Sequence, residues 1–134
     1  MRIYKSKWFT KWADKEGLSD EALKEAVSEM EKGLIDADLG GHVYKKRVPI
    51  EGQGKSSGLR TILALKVGNK AFFMYGFPKN ARDNIDSKEL KAFKRLAKEL
   101  LGYSDAQLKK ALKAGRGVIW TSTVTDPQFN YVIG

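Results

Sequence analysis

The stretch Gly54-Lys55-Ser56-Ser57-Gly58-Leu59-Arg60-Thr61 sets a lysine and an arginine at the start of a strand-like run. A second basic segment, Lys79-Asn80-Ala81-Arg82, follows the run that reads as its hairpin partner. Closing that hairpin gathers Lys55, Arg60, Lys79, Asn80 and Arg82 at one end of a sheet. Such a set suits a phosphodiester. In metal-free RNA cleavage the ribose 2′-OH attacks the adjacent phosphorus, charge grows on the nonbridging oxygens, and the 5′-oxygen leaves. A guanidinium stays ionised and binds two oxygens at once, so it matches that developing charge. Lys55 or Lys79 could serve beside it as a point charge, or as an acid if its pKa were lowered. The residues leave two readings of Arg60 open: a site arginine, or a sheet-surface cation paired with a carboxylate. Neither Arg60 nor Lys45 is expected in the core.

Other chemistries lack their residues. Gly54-Lys55-Ser56 invites a P-loop reading, but that pattern needs a glycine where Pro49 stands, and a helix where Leu59 to Val67 reads as strand. Gly52, Gly54 and Gly58 miss the dinucleotide spacing. With one histidine, His42, and no cysteine, neither an imidazole- or thiolate-based metal site nor a two-histidine ribonuclease is expected. Asp36 and Asp38 have no further ligands near them in sequence and read as part of a solvated loop. No metal and no cofactor are expected.

A net charge of +9, from 25 Lys and Arg against 16 Asp and Glu, favours a polyanionic partner. Lys45, Lys46 and Arg47 read as a solvated strand that attracts RNA phosphates. The 134 residues and 42% hydrophobic content fit one domain with a real core. Absence of cysteine suits a reducing cytoplasm. No apolar run approaches the roughly 18 residues of a spanning helix, and no secretory signal is visible, so no membrane role is expected.

Positioning falls to an α+β arrangement. Residues 2–5 read as a short strand. Trp8, Phe9, Trp12 and Ala13 recur at helical spacing over about 6–15. Ser19 caps a second helix whose apolar stripe runs from Ala22 and Leu23 through Met30 to Leu34. Asp36 to Gly41 reads as loop. Three strands follow, His42–Val48, Leu59–Val67 and Lys70–Phe77, the last two joined by a two-residue turn at Gly68-Asn69. Asp86-Ser87-Lys88-Glu89 resembles a capping box and opens a third helix. Ser104 caps a fourth, ending at Gly115. Residues 116–134 are expected as a tail that adds an edge strand or stays loose. Trp8, Trp12, Phe72, Phe73 and Phe77 read as core, and Tyr75 fits either face.

At Lys7-Trp8-Phe9, Asp36-Ala37-Asp38-Leu39-Gly40-Gly41, Lys45-Lys46-Arg47, Gly54 to Thr61 and Phe77 to Ile85, the chain resembles the RelE/ParE superfamily of type II toxins. Within it the RelE-like, HigB-type branch is most similar, over about residues 3–114. The resemblance implies a RelE-like domain at residues 1–115. N-terminal helices would pack on a small, mostly antiparallel sheet, followed by C-terminal helices. It also implies a cytoplasmic toxin that cuts mRNA on the ribosome and is neutralised by a helix-turn-helix antitoxin. Arg60 resembles the family's strand arginine that stabilises the phosphate, and Lys55 a basic residue just ahead of it. Lys79 and Arg82 fall in the basic turn after the next strand. Asn80 stands where better-known members carry an arginine. Asp83, Asn84 and Ile85 stand where some members place a tyrosine base, and Tyr103 lies too far along to match, so no base is assigned. The same superfamily contains poisons of DNA gyrase, and a non-catalytic nucleic-acid-binding module is a third reading.

Overall fold

Ser6 ends the first strand and starts the first helix with one hydroxyl. Its Oγ accepts from the Phe9 N–H at 3.0 Å, the N-cap bond of α1 (Lys7–Glu16), and donates to the Met74 carbonyl at 3.3 Å. This ties β1 (Arg2–Ser6) and α1 to the strand alongside. The computed structural model describes residues 2–50, 58–79, 84–104, 106–108, 120–122 and 132–133. α1 stops at Gly17, whose φ of 76° is left-handed. Ser19 accepts from the Ala22 N–H at 3.2 Å, and α2 (Asp20–Glu31) begins with two acids in its first turn. Leu23, Ala26, Val27 and Met30 are its buried face. Leu34, expected on that stripe, lies beyond the helix and is 58% exposed.

The remaining described elements are β2 (Ala37–Gly40), β3 (Val43–Val48), β4 (Leu59–Lys66), β5 (Lys70–Pro78), α3 (Ser87–Gly102), β6 (Trp120–Ser122) and β7 (Val132–Ile133). The sheet order is β2-β3-β4-β5-β1-β6-β7. Every described pairing is antiparallel except β1 with β5. The fold is therefore α+β with a mostly antiparallel sheet, in line with a RelE-like arrangement. β2 corrects the expected loop at residues 36–41. Two carboxylates organise it: Asp36 Oδ2 accepts from the Arg47 N–H at 2.6 Å, and Asp38 Oδ1 from the Gly40 N–H at 2.9 Å. The β4–β5 turn is also corrected. Lys66 pairs with Lys70, so the loop has three residues, and Gly68 alone takes positive φ there, 76°. The expected fourth helix is described only in part. Ser104 and Gln107 exchange cap hydrogen bonds of 2.8 and 3.1 Å, and Leu108 is buried; the rest lies outside the described residues.

Two cores cover the two faces of the sheet. On the face of α1 and α2, Leu59, Leu63 and Leu65 of β4 meet Phe9, Leu23, Met30 and Phe73. On the α3 face, Ile62 and Ala64 of β4 meet Val43, Phe72, Phe77, Ala97 and Leu100. α3 is oriented by a complete capping box, with Asp86 accepting from the Glu89 N–H at 2.8 Å and Glu89 from the Asp86 N–H at 3.0 Å. Two polar links hold α2 to the sheet. Lys5 pairs with Asp20 at 2.7 Å. Lys46 Nζ lies 3.0 Å from Glu29 Oε1 and donates to the Leu34 carbonyl at 3.1 Å.

Two stability predictions follow from these contacts. A Cβ on Gly76 would stand 2.1 Å from the Trp12 ring, so Gly76→Ala is expected to cost about 1–3 kcal/mol, and Trp12→Leu should recover part of it. Glu29→Ala strands Lys46, whose side chain is only 5% exposed, and should cost about 3 kcal/mol. Replacing Glu29 and Lys46 together with methionine should cost far less. Urea denaturation midpoints at constant slope measure both sets.

Candidate functional site

Strand alternation decides which basic residues meet. Along β3, Tyr44, Lys46 and Val48 face α1 and α2, and Val43, Lys45 and Arg47 face the α3 side. Along β4, Arg60 shares the α3 side with Ile62 and Ala64. The register pairs Arg47 directly with Arg60, and Arg60 with Phe77 on β5. Two guanidinium side chains thus stand opposite one another on one face, with Lys45 one step along on the same strand. Lys79 is exposed and follows directly on the Leu59–Pro78 pair, at the same end of the sheet.

Like charges directly opposed across a ladder destabilise it unless something anionic sits between them. Arg47 Nε lies 3.8 Å from Asp36 Oδ1. Arg60 is 8% exposed, and its Nη1 donates to the Gly58 carbonyl at 3.0 Å. Among the described residues no carboxylate forms an ion pair with Arg60. The expectation that Arg60 lies outside the core is corrected, because the residue is buried. The guanidinium folds back toward Gly58, whose carbonyl orients it. A buried cation whose acceptor among the described residues is a neutral carbonyl keeps donors for an oxyanion.

Lys46 does not join this surface. It is 4% exposed and held by Glu29 and Leu34 on the opposite face, which corrects the expectation of three solvated cations in a row. A period of two had to separate Lys46 from Lys45 and Arg47. Lys55, Asn80 and Arg82 lie outside the described residues. Tyr103 lies at the far end of the sheet, where the buried Lys70 donates to its carbonyl. Its hydroxyl donates to Glu99 at 2.7 Å. That bond, with burial and the Glu99 charge, raises its pKa above the usual phenol value, so it is a poor base as well as a distant one.

Beyond Phe77, which pairs with Arg60 and is buried as expected, runs an aromatic ledge of Tyr75 and Trp8. Phe77 neighbours Tyr75, which stacks on Trp8 with centroids 4.7 Å apart and approaches Phe93 at 5.7 Å. Trp8 is 47% exposed. A bulge near Ile62 and Leu63 brings Tyr75 and Phe77 to the α3 side, opposite Ile62 and Arg60. No sequence period announces that shift. Flat apolar rings beside cations are the usual surroundings of a single-stranded nucleic acid, rings for bases and cations for phosphates. Among the described residues, no three His, Cys, Asp or Glu side chains cluster in a metal-binding arrangement. No helix among them is long and apolar enough to cross a membrane.

No curated protein matches the chain. The family model described as the RelE toxin of the RelE / RelB toxin-antitoxin system matches residues 1–118, which include every described element up to α3 and the whole Arg60 end of the sheet. With that match over most of its length, the chain belongs to the RelE toxin family of toxin–antitoxin systems.

Proposed function

We propose that this toxin is a metal-independent endoribonuclease that cuts translated mRNA on the ribosome and is held in check by a helix-turn-helix antitoxin. The observation that carries the reading is the direct pairing of Arg47 with Arg60, the second buried and without an ion-paired carboxylate among the described residues. An arrangement that costs stability when empty is explained by an anion that offsets the cost when bound. Family membership supports an RNA target for that anion. The half-exposed Trp8 and its stacking partner Tyr75 give bases a place to stack.

Catalysis follows from where charge develops. As the 2′-oxygen attacks phosphorus, the nonbridging oxygens gain charge, and Arg60 meets that charge with two parallel N–H groups. Burial and the bond to the Gly58 carbonyl hold the guanidinium in place during the step. Arg47 and Lys45 neutralise neighbouring phosphates. Lys79, with Lys55 and Arg82 from the segments expected beside it, supplies further positive charge, and Asn80 offers an amide donor. The ribosome holds the message in an attacking geometry, so the protein need supply little beyond electrostatics.

Arg60→Ala and Arg60→Lys are both expected to lower the single-turnover rate at saturating ribosome by about 10²–10³. Lysine keeps the charge but not the two-point geometry, so Arg60→Lys should hold RNA nearly as tightly as the parent. Lys45→Ala should weaken association and flatten its salt dependence. Circular dichroism checks that each variant folds. If folded Arg60→Lys cleaves at the parent rate once saturated, Arg60 is only a tether. Cleavage of a minimal RNA should also persist in EDTA and leave a 2′,3′-cyclic phosphate or its 3′-phosphate product. A 3′-hydroxyl product with strict magnesium dependence contradicts the mechanism.

A further inference from the structure

A second basic site lies at the opposite end of β4. A cavity of about 570 Å³ opens between α3 and the β2–β3 turn, lined by Gly41, His42, Lys66, Lys94, Arg95 and Lys98, with Leu101 and Gly102 behind. Its volume suits a nucleotide-sized group. Among the described residues that line it, none is acidic. Glu99 of α3 and Asp38 of β2 are engaged elsewhere: Glu99 accepts from the Tyr103 hydroxyl at 2.7 Å, and Asp38 from the Gly40 N–H at 2.9 Å. Gly40, Gly41 and His42 all take positive φ, a tight turn that lets the Lys94 stem lie against the backbone, so that a Cβ on Gly41 would stand 3.2 Å from Lys94 Cγ. The ammonium is thereby directed along the cavity wall rather than free to sweep solvent.

The same helix leads back toward the first site. Lys88, Lys91, Lys94, Arg95 and Lys98 of α3 fall within an arc of roughly 120° at 100° per residue. The carbonyl of Tyr103, just past the C-terminus of α3, receives Lys70 at the start of β5, so α3 runs in the direction of β4, from the Arg60 end to the Lys66 end. Arg60 and Lys66 are separated by roughly 20 Å along the strand. Lys45 and Arg47 stand on the sheet face that α3 covers.

We propose that this cavity binds the phosphodiester backbone of RNA, taking one nucleotide of a strand whose other end lies at Arg60. The site's methylene stems and Leu101 accept the sugar and base, and the cations at its rim take the phosphates. The inference rests on the reading of this toxin as an RNA-acting protein. The RNA is either the message beyond the cut or structured RNA next to it, and both present the same backbone.

The test is fluorescence anisotropy with two labelled probes, a single-stranded oligouridylate of about 12 nucleotides and a short RNA hairpin, titrated at several salt concentrations. The variant is Lys94→Gln/Arg95→Gln/Lys98→Gln. An equal-charge control, Lys15→Gln/Lys24→Gln/Lys32→Gln, lies on and beside α1 and α2. Three lost phosphate contacts should reduce the slope of log affinity against log salt by about 2 and weaken binding up to about 10²-fold at 0.1 M salt. The control should change neither by comparable amounts. Loss on the single strand identifies the message as the ligand, and loss on the hairpin identifies structured RNA. The exposed pair Lys66→Gln/Lys98→Gln should lower the slope by about 1 and guards against misfolding of the triple variant. Unchanged slopes on both probes, or losses equal to the control's, overturn the inference and leave the Arg60 reading intact. A slope loss in a protein that cleaves nothing supports the inference and refutes the nuclease reading. A parent protein that binds neither probe overturns both. Weakened antitoxin binding with RNA binding unchanged assigns the cavity to an acidic peptide and refutes the proposal.

Discussion

Burial of β4 on both faces is the constraint on which the rest of this structure depends. Its residues from Leu59 to Leu65 are all buried, between the α1/α2 core and the α3 core. A strand so enclosed should be apolar throughout. Thr61 meets the requirement by donating to the Lys46 carbonyl at 2.8 Å. Among the described residues, Arg60 meets it with the Gly58 carbonyl. A charge in such a place is costly unless a partner arrives, and the opposed Arg47 adds to the cost. The local departure from a well-packed sheet therefore coincides with a place where a bound oxyanion would relieve it.

The two faces of the sheet divide the labour. On the α1/α2 face, cations serve the fold: Lys5 and Lys46 each find a carboxylate on α2 and fix that helix. On the α3 face, cations are left over: Arg60 and the rim of the cavity beside Lys94 have no ion-paired acid among the described residues. A net charge of +9 is thus unevenly used. The buried share on the α1/α2 face is neutralised, and the cations left on the α3 face can attract a polyanion at long range and hold it at short range.

Much of this was legible in the sequence because it depends on local rules. Ser6, Ser19 and the Asp86–Glu89 pair start helices where such residues should. The β4–β5 hairpin follows from two β-prone runs around a glycine turn. The basic segments around Arg60 mark it as a candidate in the sequence. What stayed hidden depends on long-range register. Lys46 parts from Lys45 and Arg47 only once strand faces are assigned, and the direct opposition of Arg47 and Arg60 only once β3 is aligned on β4. The parallel pairing of β1 with β5, between residues far apart in the chain, leaves no local signal. β2 escaped because its strand is short, polar and glycine-flanked. The α3 cations did carry a signal, their spacing of three and four, but it is equally the pattern of any solvated helix face until the β2–β3 turn is placed beside it.

The account centres on a guanidinium that stabilises charge on RNA phosphate. Mapping mRNA 5′ ends genome-wide after brief induction of the parent toxin and of Arg60→Lys, with plasmid supercoiling followed in the same cells, tests it most directly. The account predicts new ends inside translated regions for the parent, almost none for Arg60→Lys, and unchanged supercoiling. Growth arrest with intact messages and inhibited supercoiling would contradict it.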